Sequence, residues 1–175
     1  MKKNLFMSML AIAGMLFATS CSQDELLNEP STGDYVNAKF TIGTTDGIGT
    51  RAAVNVGEGT TVNYVACAVY DAKGVEMDEL RQYVPISEKK AEYSIRLVKG
   101  QEYRIAFFAY YGDDKGSSDY YDMTKLTAIT IKAAASNIEY RDAFTNYVNV
   151  TANESMTAIE KDVTLYRPFA QLNLG

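Results

Sequence analysis

EYSIRLVKGQEYRIAFFAYYG, residues 92–112, is the stretch on which the fold turns. Tyr93, Ile95 and Leu97 alternate with Glu92, Ser94 and Arg96, the two-residue period of a strand with one buried face. Lys99 and Gly100 interrupt the run, after which Tyr103, Ile105 and Phe107 alternate with Arg104 and Ala106. Two alternating runs around a glycine-containing turn predict a β-hairpin.

Outward from this segment the chain continues to read as strands. YVNAKFTI (35–42) is one. The Gly- and Thr-rich stretch that follows, GTTDGIGTRAAVNVGEGT, is too poor in apolar residues to be core. TVNYVACAVYDAKG is apolar on both faces, as expected of a central strand covered on both sides, and ends at Asp71, Lys73 and Gly74. LRQYVPI is short and contains Pro85, which marks an edge or a strand end. GDDKGSSDYYDM is a polar loop. Residues 124–136 and 139–148 are ambiguous, and YRDAFTNYV is compatible with a short helix. In KDVTLYRPFAQLNLG, Val163 and Leu165 share one parity and Ala170, Leu172 and Leu174 the other, so a bulge or crossover is expected at Arg167 and Pro168. Closely spaced strands without alternating helices make an all-β protein, a β-sandwich. There is no internal repeat or low-complexity tract.

The N-terminal end has a different character. Lys2 and Lys3 precede an uncharged apolar run, Leu5 to Phe17, with the length of a secretory h-region and too short to span a bilayer comfortably. Ala18, Thr19 and Ser20 lead straight into Cys21. Small residues before a cysteine form a lipobox, with Ala18 where leucine is commonest. Residues 1–20 are therefore expected to be a helical lipoprotein signal peptide, and Cys21 the lipidated residue. Acyl chains contribute roughly 0.8 kcal/mol per buried methylene, so two or three hold firmly. The competing reading is an ordinary cleaved leader or an uncleaved helical anchor. Residues 21–34, acidic and then carrying Pro30 and Gly33, read as a flexible tether. With Cys21 acylated, Cys67 is an unpaired thiol; its apolar setting predicts a small buried hydrophobe.

Composition narrows the function. The 175-residue chain has a net charge of −5. Loss of the leader with Lys2 and Lys3 leaves 15 cations against 22 acids, −7. Such a chain has no electrostatic footprint for nucleic acid, and charge alone does not place it on an anionic membrane. The chain has no histidine, which excludes Ser-His-Asp and Cys-His catalysis. There is no phosphate-binding glycine loop, and nothing calls for a metal or cofactor. Asp113, Asp114, Asp119 and Asp122 share one loop but lack the spacing of an EF-hand, so they read as solvated acids. Tyr110, Tyr111, Tyr120 and Tyr121 flank that loop as sheet-packing residues, or as a surface for a glycan or a protein. An enzyme is not expected.

Three features in order resemble the fimbrillin-like lipoproteins of Bacteroidota. They are the lipobox cysteine followed by Ser22, Gln23, Asp24 and Glu25, the Thr50-Arg51-Ala52 step in a Gly/Thr-rich segment, and VTLYRPFAQLNLG; VACAVYDAKG also fits an early strand and turn of that family. The resemblance covers most of the mature chain. It implies a transthyretin-like β-sandwich over residues 35–175, the N-terminal domain of a fimbrial subunit anchored by lipid at the outer membrane and the cell surface. Lipoprotein signal peptidase and a trypsin-like protease would mature it. The second cut, between Arg51 and Ala52, would free residues 35–51, whose strand is Tyr35 to Ile42. Other fimbrial subunits would then bind by donor-strand exchange, in adhesion. Subunits of that family usually carry a second sandwich domain. The reading therefore leaves open a truncated frame, a one-domain relative, or a capping or anchoring component, with a sandwich incomplete at its C-terminus. A non-polymerising surface lipoprotein that binds a glycan or host protein is the alternative.

Overall fold

The computed structural model describes residues 33–43, 59–132 and 139–168. Among these there is no α-helix. Nine strands appear in chain order: β1 (Tyr35–Gly43), β2 (Tyr64–Tyr70), β3 (Gln82–Pro85), β4 (Ala91–Val98), β5 (Gln101–Tyr110), β6 (Tyr121–Asp122), β7 (Thr130–Ile131), β8 (Phe144–Ala152) and β9 (Ala158–Thr164). Two sheets, ordered β4-β1-β9 and β3-β2-β5-β8, face each other, and β6 and β7 form a small separate ribbon. The protein is an all-β sandwich.

Strand alternation builds the main core. Val36, Phe40 and Ile42 of β1 and Tyr93, Ile95 and Leu97 of β4 meet Val65, Cys67 and Val69 of β2 and Ile105 and Phe107 of β5. Phe107 lies 5.8 Å from Phe40 and 6.2 Å from Tyr93, centroid to centroid. A second core lies on the far face of the four-stranded sheet. There Ala66, Ala68, Tyr70, Phe108 and Tyr110 are roofed by Tyr121, Met123, Leu126 and Ala143. This roof accounts for the two apolar faces of β2, a covered central strand as its sequence predicts, and β3 with Pro85 is an edge.

The hairpin expected at 92–112 does not form. Both strands and the turn exist, with Gly100 at φ +74°. However, β4 pairs with β1 while β5 pairs with β2 and β8. The chain changes sheets inside the turn: Lys99 N–H donates to Asp34 O of the first sheet, and Gly100 N–H donates to Ala152 O of the second. The reason is burial. Tyr93, Ile95 and Leu97 enter the core from one side and Tyr103, Ile105 and Phe107 from the other, so the two runs face one another across the sandwich. The genuine two-residue turn is Ser87–Lys90, which joins β3 to β4 across the sandwich corner and is closed by two backbone hydrogen bonds.

Two further expectations are corrected or sharpened. The stretch YRDAFTNYV contributes a single 3-10 turn, Glu139–Arg141, and then the first residues of strand β8, with Phe144 packed in the core. The crossover expected at Arg167 and Pro168 falls slightly earlier. Leu165 N–H still donates to Gly43 O in the first sheet, whereas Tyr166 exchanges two hydrogen bonds with Thr145 of the second. Ala170, Leu172 and Leu174 lie outside the described residues, as does the segment expected to be a helical signal peptide.

Candidate functional site

The site of interest is the seat of β1. Its sequence, YVNAKFTIG, alternates strictly: Val36, Ala38, Phe40 and Ile42 are at most 1% exposed, while Tyr35 and Lys39 face solvent. Burial of Val36, Phe40 and Ile42 contributes roughly 2 kcal/mol each. The Lys39–Glu92 pair on the outer face, at 2.9 Å and well exposed, adds little.

The strand occupies the middle of its sheet. One edge pairs antiparallel with β4 from Tyr35↔Val98 to Ile42↔Ala91, and the other pairs parallel with β9 from Asn37↔Ala158 to Gly43↔Thr164. A strand so placed satisfies backbone donors and acceptors on two neighbours at once. Without it, β4 and β9 would each present an unpaired row of N–H and C=O groups. The groove between them would be floored by Tyr93, Phe107, Val163 and Leu165, all buried. Only an extended segment with apolar residues at four alternate positions fills such a groove.

Both ends of the segment after β1 are fixed to the sandwich. Gly43 O accepts Leu165 N–H at 2.7 Å. At Gly59 the N–H donates to Asp142 Oδ2 at 2.6 Å, and the same carboxylate pairs with Arg167 at 3.1 Å. Arg51 and Ala52 lie between these anchors but outside the described residues, as does Cys21.

The remaining candidates separate clearly. Tyr110 and Tyr121 are buried in the second core, and the Tyr121 hydroxyl donates to Arg141 O. Tyr111 packs instead against Tyr140 at 4.5 Å, the rings tilted by 44° and both partly exposed. This pair was hidden in the sequence because Tyr140 lies in a stretch with no clear period. In the acidic loop, Asp113 Oδ1 accepts the N–H groups of Lys115 and Ser117, and Asp122 Oδ1 accepts the N–H and the hydroxyl of Thr124, so these carboxylates hold turns. Among the described residues no group of three or more potential metal ligands occurs. Cys67 is fully buried, its thiol directed at Val65 O, and desolvation pushes it well above the usual thiol range. It is a core residue, as its apolar neighbours in the sequence suggest.

Sequence reasoning missed the latch on the outer roof. Arg81 pairs with Glu76 at 2.5 Å, both largely buried, and donates to Tyr83 Oη, Met123 O and Thr124 O. The contacts to Met123 and Thr124 span more than forty residues, so no local spacing signals them.

Comparison with known proteins yields one match. A family model described as a family of unknown function, DUF6562, matches residues 30–175. No curated protein and no solved structure matches the chain. Over that span, which includes every described residue, the chain belongs to the DUF6562 family.

Proposed function

We propose that this protein is a surface lipoprotein, tethered to the outer membrane through Cys21, that serves as a structural or accessory subunit of a fimbria. Assembly proceeds by strand exchange after a trypsin-like cut between Arg51 and Ala52, with adhesion as the outcome. The observation that carries this reading is the placement of β1. The segment upstream of Arg51 is the central strand of a sheet, held by β4 and β9 and filling the core with Phe40 and Ile42. A cut at Arg51 leaves that strand attached by noncovalent contacts alone. Its seat then accepts a strand from another subunit, which restores hydrogen bonds and burial together. Gly47, Gly49 and Thr50 beside Arg51 suit protease access.

Limited trypsin treatment of the purified precursor tests the reading. Expected are cleavage at Arg51, release of the whole N-terminal piece ending at Arg51 as β1 is displaced, and oligomers on sizing chromatography, with Arg51→Gln blocking all three. A cut product that stays monomeric with its fold intact overturns assembly by exchange. That outcome favours the second reading, a surface lipoprotein that binds a glycan or a host protein, for which the exposed Tyr111–Tyr140 pair offers an aromatic platform.

A further inference from the structure

The four sheet edges are not equally protected. β3 is four residues long and ends at an exposed Pro85, and Gln82 of β3 donates to Ser94 O of β4, so these two edges shield one another. β9 carries exposed Glu160, Lys161 and Asp162. Short length, proline and charge are the usual defences against edge pairing. β8 has none: FTNYVNVTA is nine residues without charge or proline.

Alternation of the antiparallel ladder places the main-chain groups of Asn146, Val148, Val150 and Ala152 toward β5, and those of Thr145, Tyr147, Asn149 and Thr151 away from it. Thr145 is taken by Tyr166, and Tyr147 N–H is capped by Asn146 Oδ1 at 2.8 Å. Beyond these, among the described residues, no strand pairs with the outer side of Tyr147, Asn149 and Thr151.

We infer that the outer edge of β8 is a self-association surface whose occupant is β8 of a second copy, paired antiparallel about a two-fold axis at Asn149. This register is self-complementary. Asn149 meets its own counterpart as a hydrogen-bonded pair, and Tyr147 meets Thr151 of the other copy on the outer face. On the inner face Val148 meets Val150, an apolar cross-strand pair. No charge opposes another, which matters for a chain with 22 acids against 17 bases. The Arg104 guanidinium, 5.2 Å over the Tyr147 ring, and its hydrogen bond to Asn149 Oδ1 at 3.3 Å brace the outer side chains of this edge. The product is one continuous eight-stranded sheet. It needs neither cleavage at Arg51 nor exchange of β1, so it stands or falls separately from the fimbrial reading.

Cross-linking through one introduced cysteine, in the full chain in detergent micelles, tests the pairing. A hydrogen-bonded antiparallel pair sets Cα atoms about 5.5 Å apart, within disulfide reach. Asn149→Cys should give on the order of tenfold more covalent dimer under mild oxidation than the parent chain or a Glu160→Cys control, because pairing raises the local thiol concentration. Asn149→Lys, which sets like charges across the axis, should abolish association in sedimentation, with an unchanged far-UV spectrum. Dimer yield from Asn149→Cys no higher than the control, or undiminished association of Asn149→Lys, overturns the proposal.

Discussion

The hydroxyl of Tyr103 bonds twice to Val98: it accepts from Val98 N–H and donates to Val98 O, both at 3.1 Å. Tyr103 belongs to one sheet and Val98 to the other, so this contact staples the arch where the chain passes between them. The phenol caps backbone groups that β1 leaves unpaired at the end of β4. Tyr103→Phe removes both bonds without a large change in packing and should destabilise the fold by about 1–2 kcal/mol. A fall in the urea midpoint with an unchanged m-value is the expected reading.

Alkaline pH should weaken the fold more steeply than moderate acid. Burial pushes the phenols of Tyr93, Tyr110, Tyr121, Tyr70 and Tyr103 above their ordinary 10.0, and the Cys67 thiol above 9.0. The unfolded chain ionises these groups at their ordinary values while the native state keeps its protons. Their contribution is therefore whole below about pH 9 and is lost as pH rises toward the native values. Tyr93 alone imposes a slope of about 1.4 kcal/mol per pH unit above its ordinary value. Chemical denaturation from about pH 8 to about pH 11.5 should show it, with a shallower slope in Tyr93→Phe.

The Ser87–Lys90 turn holds Glu88 at φ +50° and Lys89 at φ +65°, left-handed conformations for two residues that carry a Cβ. Both central positions with positive φ define the turn type that favours Asn-Gly. The double change Glu88→Asn, Lys89→Gly relieves this strain and should raise stability by about 1 kcal/mol. Thermal melting at neutral pH is sufficient to detect it.

Arg81 fastens the roof of the second core through Glu76 and the carbonyls of Met123 and Thr124. Arg81→Met keeps much of the stem but leaves the Glu76 carboxylate without its cation in a largely buried site, held by the Tyr70 hydroxyl at 3.0 Å, at a cost of about 3 kcal/mol. Amide exchange should rise first at residues 120–127 and leave β1 and β4 protected, because the latch holds only the outer layer.

Phe40 packs between Tyr93 and Phe107 at 6.0 and 5.8 Å. Phe40→Ala should cost about 3–5 kcal/mol, and the same change in an added peptide of residues 35–43 should abolish its binding to trypsin-cut protein. A peptide that binds equally well with either residue would separate the core role of Phe40 from strand exchange.

The all-β class, the buried alternate residues of β1, β4 and β5, the double-faced β2 and the proline-marked β3 edge were legible in the sequence, because side-chain period and turn chemistry are local properties; β8, whose start is compatible with a short helix, was not. Legible too were the buried Cys67 and, within two residues, the crossover that follows the last strand. The partner of each strand was not. An alternating run names the face that enters a core, but not the sheet that carries it. For 92–112 one clue was present: β4 alternates with Glu92, Ser94 and Arg96, whereas Ala106 to Tyr110 is apolar on both faces. Neighbours in one sheet would share the same outer cover, and these two do not. The parallel partnership of β1 with β9 and the Arg81 latch join residues distant along the chain. Tertiary folding alone decided them, because backbone hydrogen bonding is chemically identical at every strand. Only the packing of the whole core selects which strands meet.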